Sequence, residues 1–204
     1  MATERSFPQV VSLACHDLRT PLATVHGFAR TIERLEPADE RTARYIGLIV
    51  DGSEQIVDLL ERLALIARIE RGAYEPVLRR IDSLELARSV ALSVDAGEVA
   101  VSGSGAEVDV DREQAEPSLR AFLTCAIRHG DSNAITCEVN GTELAISPVT
   151  AESGPILLGE DLRDFGAAAA RMHVEALGGA VAVDGDALRI GLPATSTGGT
   201  AGGP

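Results

Sequence analysis

The stretch Ser12-Leu-Ala-Cys-His16-Asp-Leu-Arg-Thr-Pro-Leu22 decides how this chain is read. Around it the apolar residues recur in heptads. Val11, Leu18, Val25 and Ile32 form one row, Ala14, Phe28 and Leu35 lie beside it, and Cys15, Leu22 and Ala29 widen the stripe. That period predicts a long amphipathic helix with a bundle-type face. His16 falls two positions short of the Leu18 row, on the edge that faces water, where a core histidine would not sit. Pro21 stands mid-helix, where it removes one backbone bond and leaves the carbonyl of Asp17 without its usual donor. An exposed histidine beside an acid, with a hydroxyl and a bend one turn on, is a candidate working residue.

The chain around this helix reads as a hairpin. The first helix is expected over 6–36, followed by a turn at Glu36-Pro37-Ala-Asp-Glu40, with Pro37 as breaker and Asp39 as cap. A second helix is expected over 41–71, with rows Ile49, Ile56 and Leu63, then Ile46, Leu60 and Ala67, then Tyr45, Leu59 and Ile66. A short connection between two such helices means an antiparallel pair. A lone pair cannot bury two wide apolar stripes, so a four-helix bundle made with a second copy is expected.

From Ile81 the pattern changes. Asp82 caps an expected helix running to Leu92. Strands are expected at Val99–Val101, Glu107–Val110, Ala134–Val139 and Glu143–Ser147, and helices at Pro117–His129 and Leu162–Leu177. Gly178–Val183, the turn Asp184-Gly-Asp186 and Ala187–Leu192 read as a closing hairpin. The expected domains are a helical hairpin over 1–76, an α+β sandwich with helices on one face of a mixed sheet over 77–193, and a disordered tail over 194–204.

Composition narrows the partners. The net charge of −13 argues against nucleic acid and anionic membrane surfaces. The charge is uneven: residues 1–80 hold 11 Arg against 12 acids, residues 81–204 hold 7 Arg against 19 acids, and the chain has no lysine. Three cysteines without paired spacing suit a reducing compartment. No apolar run is long enough for a membrane span and the start is not a signal peptide, so a cytoplasmic location without sensor or anchor is expected.

The residues from Ser12 to Leu22 closely resemble the H-box of two-component sensor histidine kinases, and Leu63-Ala-Leu-Ile-Ala-Arg-Ile-Glu-Arg-Gly72 is similar to the close of that family's dimerisation domain. The resemblance implies that His16 is the phospho-acceptor, that Asp17 is its acid/base neighbour, and that Thr20 is the hydroxyl used when phosphate is removed from a partner. The second half is similar to the family's ATP-binding domain in three places: Ser118–His129 to the N-box helix, Phe165–Gly179 to the Gly-rich helix, and Leu188–Pro193 to the last strand. Its departures fall on the chemistry. Cys125 stands where an Asn would hold Mg²⁺, and a neutral thiol is a poor ligand for a hard cation. Ser147 stands where an acid would read the adenine. The phosphate loop is reduced to Gly166, preceded by Asp161 and Asp164, and there is no long Gly-bearing lid between Ser147 and Leu162.

Together these losses argue against ATP binding, and the chain resembles the dimeric histidine phosphotransferases of phosphorelays. That resemblance implies a homodimer whose second domain is a degenerate ATPase-like sandwich. It would accept phosphate on His16 from one receiver-domain aspartate and pass it to another, with Mg²⁺ supplied by the receiver and no cofactor of its own. Two alternatives stay open: a true sensor-type histidine kinase with a divergent ATP site, and a non-catalytic pseudokinase that sequesters response regulators. Cys15, His129 and His173 read as structural and His26 receives no role. No metal cluster and no Ser-His-Asp arrangement follows from local spacings.

Overall fold

The computed structural model describes residues 7–35 and 39–195. The breaker at Pro37 and the tail beyond residue 195 lie outside the described residues. The chain divides into two compact units, Met1–Tyr74 and Glu75–Pro204.

The first unit is the expected hairpin, helices α1 (Phe7–Arg34) and α2 (Glu40–Glu70). Asp39 caps α2, its carboxylate accepting from the Thr42 N–H at 2.8 Å. The α1 helix continues unbroken through Pro21. Only part of each apolar stripe is used inside the hairpin. Cys15 and Ala29 of α1 are buried, with Ile46, Val50, Leu60, Leu65 and Ala67 of α2. Leu18, Val25, Phe28 and Ile32 on α1, and Tyr45, Ile49, Ile56 and Leu59 on α2, stay exposed. Where the two helices meet, His26 Nδ1 lies 3.0 Å from Ser53 Oγ, and that hydroxyl donates to the Val50 carbonyl at 2.7 Å. With its one proton committed, the serine accepts, so His26 donates from Nδ1. Arg30 reaches across to Glu54 at 2.6 Å.

The second unit is a two-layer sandwich. Strands β2 (Glu98–Gly105), β4 (Ala134–Gly141), β5 (Glu143–Ser147), β7 (Ala187–Gly191) and β6 (Ala180–Asp184) lie in that order, with β2 and β4 parallel and the other pairs antiparallel. Ile135, Cys137 and Val139 of β4, Leu144 and Ile146 of β5, and Leu188 and Ile190 of β7 face inward at alternate positions. They pack against helices α3 (Ser83–Ala91), α4 (Arg112–His129) and α6 (Phe165–Ala176) through Leu86, Phe122, Leu123, Ala170 and Val174. One buried face and one polar face is what period-2 patterning produces. Gly103 sits at φ +103 against the Val139 backbone, where any Cβ would collide, so β2 can lie beside β4 only with glycine there.

Several boundaries differ from the sequence reading. The α4 helix begins at Arg112, five residues before Pro117, because an early proline sacrifices only one bond and the Arg112–Glu116 pair at 2.7 Å supports the first turn. Strand β1 (Leu78–Asp82) was not expected; it pairs antiparallel with β3 (Glu107–Asp111) as a separate two-stranded sheet. A five-residue helix α5 (Ser153–Leu157) also appears, held by reciprocal hydrogen bonds between Thr150 and Ser153. Ala194 and Thr195, expected to open a disordered tail, lie along the free edge of β3 instead.

Candidate functional site

His16 projects from the middle of α1 with its side chain 76% exposed. Its Nδ1 faces Asp17 Oδ1 at 3.4 Å, which leaves Nε2 turned outward. Thr20 follows one helical turn later, and His16 and Thr20 line one open depression with Arg19, Ala23 and Thr24, whereas Asp17 is not part of its lining. Asp17 touches the site only through its 3.4 Å approach to His16 Nδ1. Arg19 was missed by the sequence reading. Its signal was the i, i+3 spacing from His16, which puts a guanidinium beside the imidazole on a helix. The exposed face thus presents an imidazole, a cation and a hydroxyl, with a carboxylate beside the inner ring nitrogen.

The second unit was expected to carry a nucleotide site in degraded form. Cys125 is fully buried in α4, and burial first, then Asp164, pushes its thiol up to about 12. It is protonated at neutral pH and offers nothing to Mg²⁺. Ser147 is tied to the neighbouring strand, its hydroxyl 2.9 Å from Thr136 Oγ1. The segment that would form a lid folds into α5, with Ile156 and Leu157 buried in the core.

Asp164 has the most specific placement. As N-cap of α6 it accepts from the Ala167 N–H through Oδ1 at 3.0 Å, and its Oδ2 meets Arg128 at 3.3 Å and His129 Nε2 at 3.6 Å. A helix N-terminus beside an arginine is a ready-made anion site. Here the chain's own carboxylate occupies it.

Residues 9–72 match the His Kinase A (phospho-acceptor) domain. Over 71 residues the chain is 35% identical to the probable sensor histidine kinase TcrY of Mycobacterium tuberculosis, a match covering 35% of this chain and 15% of that protein. In fold it is similar to full-length ShkA crystallised with AMPPNP, with a TM-score of 0.64 at 19% identity over 93% of this chain and 47% of that one. It is also similar to the histidine kinase AdeS of Acinetobacter baumannii, with a TM-score of 0.57 at 20% identity over 87% and 97% of the two chains. The first unit matches a histidine-kinase phospho-acceptor domain, and the chain has the fold of a two-component histidine kinase core. It spans less than half of ShkA and a small part of TcrY.

Within this kinase core the other histidines have structural settings. His26 holds the hairpin together through Ser53. His173 is wholly buried with Nδ1 2.8 Å from Ser118 Oγ, and burial lowers its pKa to about 4. His129 lies near the end of α4 with Nε2 3.6 Å from Asp164 Oδ2. Cys125, His129 and Asp164 bring one ligand atom each to within 4.8 Å of one another, which no local spacing in the sequence had indicated because Asp164 comes from a different helix. Among the described residues, no helix is long and apolar enough to cross a membrane.

Proposed function

We propose that this kinase core works as a histidine phosphotransferase, taking a phosphoryl group onto His16 from an aspartyl-phosphate on one response-regulator receiver domain and passing it to an aspartate on another. The observation that carries the reading is Asp164. Its carboxylate sits on the first turn of α6 and on Arg128, the donors a polyphosphate would need. An incoming phosphate must displace an anion already held by two partners.

The chemistry follows from the geometry of His16. With Nδ1 toward Asp17, the Nε2 lone pair faces solvent and attacks the phosphorus in line. The new P–N bond forms as the P–O bond to the donor carboxylate breaks, and that carboxylate leaves as an anion. Asp17 stabilises the positive charge that develops on the ring. Arg19, which lines the same depression, would neutralise charge on the equatorial oxygens, and Thr20 would place a water for hydrolysis of the phosphoryl group. Mg²⁺ held by the receiver would supply the remaining charge neutralisation. Return of the group to an acceptor aspartate is the same step reversed. The exposed rows Leu18–Val25–Ile32 and Ile49–Ile56 are the surface on which a second copy completes a four-helix bundle.

The comparisons with sensor kinases favour a second reading, in which ATP donates phosphate to His16 and the nucleotide site is divergent. Transfer from a receiver domain carrying labelled aspartyl-phosphate tests the first reading. Acid-labile label should appear on the wild type and be absent from His16→Gln. A protein that binds the receiver without taking label would instead be a scaffold.

A further inference from the structure

Cys125 and His129 stand one turn apart on α4, so their side chains leave the same helical face. Asp164 reaches them from the start of α6. The thiol, an imidazole nitrogen and a carboxylate oxygen lie within 4.8 Å of one another. Cys125 is fully buried. His129 Nε2 is buried too, and among the described residues no hydrogen bond satisfies it, since Asp164 Oδ2 at 3.6 Å is too far. An imidazole nitrogen buried in this way costs about 1–3 kcal/mol, which a bond at that nitrogen would offset.

We propose that Cys125, His129 and Asp164 form a binding site for a zinc-class divalent ion, with water completing a tetrahedron. The donor set selects the metal. Thiolate, imidazole and carboxylate suit Zn²⁺, whereas Mg²⁺ demands oxygen and does not displace a thiol proton. Bonds of about 2.0–2.3 Å set tetrahedral ligand atoms about 3.3–3.7 Å apart, and His129 Nε2 and Asp164 Oδ2 already stand at 3.6 Å. On binding, the Cys125 sulfur gives its proton to solvent as the Zn–S bond forms, and His129 binds through the neutral Nε2 lone pair. Asp164 binds through Oδ2 in place of Arg128, while Oδ1 stays on the Ala167 N–H and keeps the carboxylate aimed. The C-terminal end of α4, where the helix dipole favours a cation, faces the ion. The ion would pin the end of α4 to the start of α6. This site stands independently of the phosphotransfer reading, because its test measures metal and not phosphate.

The test uses the full chain without an affinity tag. It is stripped with chelator, titrated with Zn²⁺ against a chromogenic chelator, and titrated separately with Co²⁺ as a spectroscopic probe. The wild type should take one equivalent of Zn²⁺ and show the near-ultraviolet charge-transfer band of a cobalt–thiolate bond. Cys125→Ser should lose the band while Cys137→Ala keeps it. Should Cys125→Ser fail to fold, His129→Gln decides, weakening Zn²⁺ on the order of tenfold or more. Arg128→Gln should tighten binding, because the guanidinium no longer competes for Asp164. The proposal is overturned by a cobalt spectrum without the thiolate band, by zinc affinity unchanged in His129→Gln, or by binding that disappears with His16→Gln instead.

Discussion

Asp164 and Arg128 meet at 3.3 Å, and the acid's side chain is only 9% exposed where the arginine's is 62% exposed. The carboxylate is therefore held in place by the protein, with the cation reaching in from solvent. Removing it should open an anion site. Asp164→Ala loses the α6 cap at a cost of about 1–2 kcal/mol, while Asp164→Asn keeps a capping oxygen and loses less. Inorganic phosphate should then raise the melting temperature of Asp164→Ala and leave that of the wild type unchanged. Equal stabilisation of both would show that Asp164 does not block the site.

The apolar residues left exposed on the hairpin predict the behaviour of the assembly. Val25 and Ile49 are each about half exposed, and a charge at either position would lie inside the proposed bundle. Val25→Glu or Ile49→Glu should convert the dimer to monomer in light scattering behind size exclusion. A similar charge at exposed Glu33 or Arg34, as Glu33→Lys or Arg34→Glu, should not.

His26 and Ser53 form a part-buried polar contact between α1 and α2 that the apolar periodicity did not announce. Either alanine substitution should lower hairpin stability by about 1–3 kcal/mol, because Ser53→Ala leaves the His26 Nδ1–H without its acceptor and His26→Ala removes the donor to the buried Ser53 hydroxyl oxygen. The double variant should cost less than the sum of the two, with a coupling of about 0.5–1.5 kcal/mol in a double-mutant cycle. Full additivity would mean that the 3.0 Å contact contributes nothing.

The hairpin was legible because its signals are local. Heptads, Asp39 as cap and the H-box stretch all lie within a few turns of one another. The β6–β7 hairpin was legible through Asp184-Gly185-Asp186, where Gly185 takes the φ of +62 that the turn requires. Strand β1 was not, since Leu78-Arg-Arg-Ile-Asp82 has no clean alternation and is ordered by a partner strand some thirty residues later. The helix α5 was hidden because Ser153-Gly-Pro-Ile-Leu157 has the composition of a turn, and burial of Ile156 and Leu157 decides its conformation. At the site, the acids before α6 were read as a general repulsion. The structure makes Asp164 a specific occupant, and it pairs with an arginine and a histidine from a helix that no spacing rule connects to it.

His173 carries a pH dependence whose sign is fixed. Its folded pKa of about 4 lies below the ordinary 6.5, so between those values the unfolded chain binds the extra proton and stability rises with pH. The contribution is complete above about pH 6.5 and is lost as pH falls toward 4. The shift corresponds to about 3 kcal/mol. Chemical denaturation of the second unit at pH 7 and pH 5 should show His173→Gln flattening this slope, even if the variant is less stable throughout. An unchanged slope would place the titration elsewhere.

The donor of the phosphate is the claim on which the account rests. The most direct measurement incubates the full chain with γ-labelled ATP and Mg²⁺, with His16→Gln alongside, and follows acid-labile label on the protein. The account predicts that neither protein is labelled by ATP, while the wild type still accepts phosphate from a receiver domain. Label from ATP on the wild type and not on His16→Gln would contradict it and make the chain a histidine kinase that binds nucleotide despite Asp164.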